Sequence, residues 1–192
     1  MQIPFVLDPG HGGIASRGNS SSDGARFADG VLEKDVNLAL ARRVAYHLGG
    51  AELTRWDDNR SLNERIELAR RNAARVFLSL HSNPHDTEAW VHDRATGDSL
   101  RLATLLGRQA CPAYGGTARV RRGQLGVLSP EQHWQGTAAC LLEIGYDQVR
   151  DPARLDATAA HIAGALRAFA AEAPTGRAVY GSRHRDSKSA CG

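Results

Sequence analysis

Apolar and polar positions divide this chain into short continuous runs and longer runs with helical spacing. Residues 3–7 are apolar and short, the character of a buried strand. Residues 14–30 are rich in Ser, Gly and Asp and read as a loop. From 33 to 48, Val36, Leu40, Val44 and Leu48 recur at every fourth position with Ala39 beside them, which predicts an amphipathic helix. "AELTR" at 51–55 is a second strand candidate. Ser61 and Glu64 form a capping box ahead of Leu62, Ile66, Ala69 and Ala73 at helical spacing. "RVFLSL" at 75–80 is a third strand, ending directly at His81, and "EAWVH" is a fourth candidate. A helix follows from about Ser99 to Gln109 through Leu102, Leu105 and Leu106. After a connection rich in Gly and Arg comes "QLGVL", and Ser129-Pro130 has the form of a helix cap and first helical residue. "AACLLEIGY" at 138–146 is the most apolar strand, and Asp151-Pro152 opens a last helix carrying Leu155, Ile162, Leu166 and Phe169. Strands alternating with helices predict one α/β domain with helices on both faces of its sheet.

Beyond about residue 173 the apolar periodicity is lost, and 174–192 reads as a flexible tail or an appended extension. At 192 residues the chain suits one domain, and 42% hydrophobic with 23% charged residues excludes the disordered and membrane classes. The net charge of +3 comes partly from the tail, where Arg177, Arg183, Arg185 and Lys188 face only Asp186. No basic stripe with interleaved aromatics marks the rest, so nucleic acid is not an expected partner. Cys111, Cys140 and Cys191 have no zinc-finger or disulfide spacing, and Cys140 sits in an apolar run as a small hydrophobe. The start "MQIPFVLD" lacks the pattern of a signal peptide, and no 18-residue apolar run exists.

Candidate chemistry gathers where apolar runs end. "VLDPGHGG" places His11 among three glycines. Gly10-His11-Gly12-Gly13-Ile14-Ala15 matches the spacing of a dinucleotide fingerprint, but that motif needs a helix to begin in the loop. Here the first helical pattern begins near Glu33, which disfavours phosphate binding. A plain turn remains the simpler reading of His11 alone. His81 changes that balance, because it too leaves a buried strand, and strand ends of an α/β sheet open into the binding crevice. His85 is four residues later, but Pro84 intervenes and the spacing is not that of a zinc-binding helix. Zinc hydrolases commonly use three His, Glu or Asp ligands, and Glu33, heading the first helix, fits as a third. A first-turn carboxylate favoured by the helix dipole is the alternative for Glu33. Glu143 interrupts "CLLEIG", where a carboxylate is costly unless paired, hydrogen-bonded or at a strand end. Partial burial would raise its pKa toward that of a general base, and a salt-bridged core residue is the alternative.

Taken in order, "VLDPGHGG", "LEKDVNLALARRVAYHL", "LTRWDD" with "SLNERIELARRNAA", "VFLSLHSNP" and "CLLEIGY" resemble the motifs of the zinc-dependent N-acetylmuramoyl-L-alanine amidases of the amidase_3 family. The resemblance covers about residues 3–171 and implies a catalytic domain over 1–173 with a mixed six-stranded sheet. It implies one Zn2+ ion held by His11, Glu33 and His81, with Glu143 as the catalytic glutamate. The implied substrate is peptidoglycan, at the amide joining N-acetylmuramic acid to the L-alanine of the stem peptide. A monomer acting in the periplasm or cell wall is expected, delivered by a lysis pore or an injection apparatus, or excised from a longer protein. Two rivals remain at this point: an amidase-like module that grips wall polymer without cutting it, and a zinc amidase of soluble muropeptides. His92, His133 and Arg122 are further candidates to line a substrate groove, with surface positions as their alternative.

Overall fold

A computed structural model describes residues 4–95, 97–109 and 118–172. In chain order the elements are β1 (Phe5–Pro9), α1 (Glu33–Leu48), β2 (Glu52–Leu53), α2 (Leu62–Arg71), β3 (Val76–Asn83), β4 (Glu88–His92), α3 (Gly97–Gln109), β5 (Arg119–Gly123), β6 (Ala138–Gly145) and α4 (Pro152–Ala171). The six strands form one sheet in the order β2-β1-β3-β6-β4-β5. Neighbours pair in parallel except β4 with β6, so the sheet is mixed. The predicted α/β architecture is the observed one.

The central strands are apolar on both faces because both faces are covered. On one side Leu7, Leu78, Leu80, Cys140 and Leu142 pack against α1, α3 and α4 through Leu40, Val44, Leu102, Leu106, Ile162, Leu166 and Phe169. On the other, Val6, Phe77, Ala139 and Leu141 meet Ile66 and Ala69 of α2 and the 3-10 turn Gly126–Leu128. The caps follow the sequence. Ser61 and Glu64 close a reciprocal capping box, and Asp151 accepts from the N–H groups of Ala153 and Arg154 ahead of α4.

Four expectations are corrected. Ser129-Pro130 starts no helix; the residues after Gly126–Leu128 turn back toward β6. Helix α2 stops at Arg71, and Ala73 leaves the helical series with φ 45°. Strand β3 runs through His81 to Asn83 instead of stopping before it. Strand β5 lies in the stretch that reads as a Gly- and Arg-rich connection; as an outer strand exposed along nearly its whole length, it carries no apolar signature. No helix among the described residues is long and apolar enough to cross a membrane. The expected tail, 174–192, lies outside the described residues.

Candidate metal centre

Strands β1, β3 and β6 run parallel, so their C-terminal ends open on one edge of the sheet. His11 leaves β1 in a left-handed conformation, φ 62°, a state that costs a non-glycine residue about 1–2 kcal/mol. The surrounding bonds hold it there. Arg65 donates from Nη2 to the His11 carbonyl at 2.8 Å and from Nη1 to that of Pro9 at 2.9 Å. Arg55 donates to the carbonyls of Pro9, at 2.8 Å, and Gly10, at 3.1 Å. The Asp8 carboxylate beneath accepts from Arg65 at 2.7 Å, from Ser79 at 2.7 Å and from the Thr54 hydroxyl.

The loop over 14–30 is folded against the site. Gly12 N–H donates to Ser22 O, and the first amides of α1 donate back into it, Glu33 to Ala25 O and Lys34 to Asp23 O. This placement turns Glu33 inward. Its Oε1 lies 3.2 Å from His11 Nε2 and 3.0 Å from His81 Nδ1, while Oε2 accepts from Ala25 N–H at 2.8 Å. Asn37, one helical turn on, donates to Oε1 at 3.3 Å, and so does the Ser82 amide. The two imidazoles meet edge to face with centroids 4.9 Å apart.

His11, Glu33 and His81 are the group of three metal-capable side chains found among the described residues, with one ligand atom from each all within 4.8 Å of one another. The donor set suits a cation. His11 Nδ1 lies 2.8 Å from Ser21 Oγ, which orients the ring and leaves Nε2 facing the cluster, the arrangement of a metal-binding histidine with its outer partner. Two imidazoles and a carboxylate are a donor set for a catalytic zinc. Two glycines keep the centre clear. A Cβ on Gly10 would collide with the His81 ring, and one on Gly24, whose φ is 68°, would collide with Glu33 Oε2 and stand 2.8 Å from His11 Nε2.

Glu143 lies beside this cluster, not in it. The β3–β6 register pairs it with His81, and alternation along both strands gives the two side chains the same face. Asn83 donates to its Oε2 at 3.3 Å. Burial holds its carboxyl above the ordinary carboxylate range, helped by the charge of Glu33 and opposed by His81 and Asn83. Glu33 moves the other way. Burial disfavours its charged form, but the hydrogen bonds to His11 and His81 prevail and hold it far below that range.

Residues matching the family profile described as N-acetylmuramoyl-L-alanine amidase run from 5 to 168. The chain belongs to that family. It is 36% identical over 90 residues to the amidase LytC of Bacillus subtilis, covering 44% of this chain and 16% of that protein. It is 36% identical over 100 residues to AmiA of Escherichia coli, 50% of this chain and 30% of that one. The chain thus spans under a third of these curated relatives. Among solved structures, the amidase AmiC2 of Nostoc punctiforme superposes with a TM-score of 0.71 at 25% identity, over 88% of this chain and 98% of that one. The catalytic domain of the amidase CwlV from Bacillus (Paenibacillus) polymyxa does so with a TM-score of 0.71 at 26% identity, over 86% and 97%. The mixed six-stranded sheet matches that of the amidase structures.

The other groove candidates lie elsewhere. His133 is buried against Phe77, its Nε2 2.8 Å from Val127 O, and burial lowers its pKa. His92 is buried at the end of β4 away from Glu88 and its Nδ1 accepts from Arg94 N–H. Neither is a surface residue. Arg122 is exposed and donates to Asp93 O. Sequence reading missed Ser21, Gly24, Asn37, Arg55 and Arg65 as parts of the site. Asn37 and the two arginines stand inside quoted motifs, which was the available signal for them.

Proposed function

We propose that the chain is a zinc-dependent N-acetylmuramoyl-L-alanine amidase that cleaves the bond between N-acetylmuramic acid and the L-alanine of peptidoglycan stem peptides. The observation that carries this reading is the His11–Glu33–His81 triangle beside a half-buried glutamate, in a chain of this family. In it, His11, Glu33 and His81 are the ligands of one Zn2+ ion and Glu143 is the general base. Held there, the ion would supply Lewis acidity toward the scissile carbonyl and would lower the pKa of water. Glu143 takes the proton of the attacking water and delivers it to the alanine nitrogen as the amide bond breaks. Asn83 orients that carboxylate from Oε2. Ser21 and Asn37 hold the His11 ring and the Glu33 carboxylate in place, and the Arg55 and Arg65 contacts keep His11 in its left-handed conformation. We infer action on wall polymer outside the cytoplasm, as a monomer, with 174–192 as an appended tail.

Digestion of purified sacculi by zinc-loaded protein, beside Glu143→Gln, tests this. Stem peptides with a free L-alanine amine, released by the intact protein alone, are the expected products in mass spectra. Sacculi left intact by protein that binds zinc would refute the reading and favour a wall-binding module or a muropeptide enzyme.

A further inference from the structure

The face of the sheet that carries Glu143 continues beyond the metal cluster. In the β6–β4 register Glu143 stands opposite Glu88, and in the β4–β5 register Glu88 stands opposite Arg119. Alternation places Trp90 and Arg121 on that same face. The contacts agree: Arg121 Nε donates to Glu88 Oε1 at 2.8 Å, its guanidinium lies 6.0 Å from the Trp90 ring centroid, and Trp90 packs with the cluster that contains Leu141. Helix α2 covers the β1–β3 half of this face, whereas α3 lies against β4 and β5 from the other side. Among the described residues, Arg119 has no ion-pair or side-chain hydrogen-bond partner, and both arginines are exposed.

A shelf therefore leads from Glu143 over Glu88 to two arginines. Two strand spacings set Arg119 about 10 Å from Glu143, the reach of about three residues of extended peptide. Of the two chains that meet at the scissile amide, the glycan is largely neutral, whereas the stem peptide bears carboxylates past its first residue. We propose that Arg119 and Arg121 form a subsite for the carboxylates of the stem peptide on the leaving side of the cut. This rests on the amidase reading above and goes beyond it in naming the residues that select the peptide. Charged residues on an outer strand also discourage edge pairing between molecules, but that role is indifferent to substrate charge, so substrate charge separates the two.

The test compares two soluble muropeptides that differ only at the second stem residue, D-isoglutamate in one and D-isoglutamine in the other. The intact protein is expected to favour the free carboxylate by about three- to tenfold in kcat/KM, the scale of one or two exposed charge contacts, with the difference in KM. Arg119→Ala and Arg121→Ala are expected to remove most of the preference and leave kcat within about twofold. Arg122→Ala, on the opposite face, is expected to retain it. Equal handling of the two substrates by the intact protein, or a preference that survives both substitutions, overturns the subsite. If neither substrate is cut, the sacculus digestion above decides the amidase reading separately. Titration calorimetry of the same pair against the intact protein and both variants then decides the subsite: tighter binding of the acid form that depends on Arg119 and Arg121 supports it, and equal affinity overturns it.

Discussion

Replacing Arg65 by methionine should destabilise the protein more than replacing its partner Asp8 by asparagine. Both side chains are buried, at 1% and 2% exposure, and Nη1 lies 2.7 Å from Oδ1. Removing the guanidinium leaves the Asp8 carboxylate in the sheet with the Thr54 and Ser79 hydroxyls and no bonded counter-charge, the Arg55 charge acting only from a distance. An orphaned buried ion of this kind costs about 3–5 kcal/mol. The Pro9 carbonyl keeps Arg55 as donor, so the further losses are the bonds to the His11 and Arg60 carbonyls, to Asn59 and to Ser20. Asp8→Asn leaves Arg65 charged but still bonded to the carbonyls of Pro9, His11 and Arg60 and to Asn59, and should cost about 2–3 kcal/mol. Urea unfolding followed by circular dichroism measures both. The double variant should fall short of the sum by about 1–3 kcal/mol, because each single change strands the other's charge. Acid sensitivity follows from the same pair. Burial raises the Asp8 pKa, but Arg65, Thr54 and Ser79 outweigh it and hold the folded value below the ordinary 3.8. The folded state thus gains stability from ionised Asp8 above that pH and loses it as pH falls below it. Asp8→Asn should flatten the acid limb of stability against pH. Additivity within about 0.5 kcal/mol, or an unchanged acid limb, would refute the argument.

Gly24→Ala should keep the fold but abolish the zinc-induced rise in Tm, because its methyl group would occupy the space of Glu33 Oε2 and His11 at a backbone angle of 68°; retained zinc binding by calorimetry would contradict this. Glu143→Gln should lower amidase turnover by about 10²–10⁴-fold while the zinc-induced Tm rise persists, and loss of that rise would move Glu143 into the ligand set. Cys140, its thiol pushed up to about 12 by burial, should resist iodoacetamide at pH 8 in folded protein and react after unfolding, as peptide mass spectra would show. Ser61→Ala, which opens the capping box of α2, should cost about 1 kcal/mol in urea melts.

What the sequence discloses and what it hides have separate causes. Helices α1 and α4 are legible because their buried positions repeat every three or four residues, with Gly49 closing α1 and Asp151-Pro152 opening α4, and α1 begins and ends at the expected residues. Strands β3 and β6 are legible because both of their faces are covered. Strand β5 is not, since Arg119, Arg121 and Arg122 are chosen for solvent and for one another's faces of an outer strand. Ser129-Pro130 misleads because a cap and a first-turn proline signal a helix only where an apolar stripe follows, and Glu131 through Gly136 supplies none. His11, Glu33, His81 and Glu143 could be picked out as oddities at the ends of apolar runs. Strand ends and the family motifs group them, but their geometry is not legible, because it depends on strand order: β3 lies between β1 and β6, which sets His81 between the other histidine and the glutamate.

The least legible feature is the one that makes the assembly rigid. Arg55 and Arg65 come from segments on either side of a turn, and each looks like an ordinary surface cation in sequence. In the structure both are buried, and burial together with the charge of Arg65 brings the Arg55 pKa down to about 10. Placing two like charges in one interior is unfavourable unless their donors are used. Here the donors converge on three consecutive carbonyls, those of Pro9, Gly10 and His11. The chain leaves the sheet after Pro9, and His11 turns there toward Glu33. The arginines therefore satisfy a local backbone need that the metal-facing turn itself creates. That support reaches the site through backbone geometry, with neither side chain bonded to His81 or Glu143 among the described contacts.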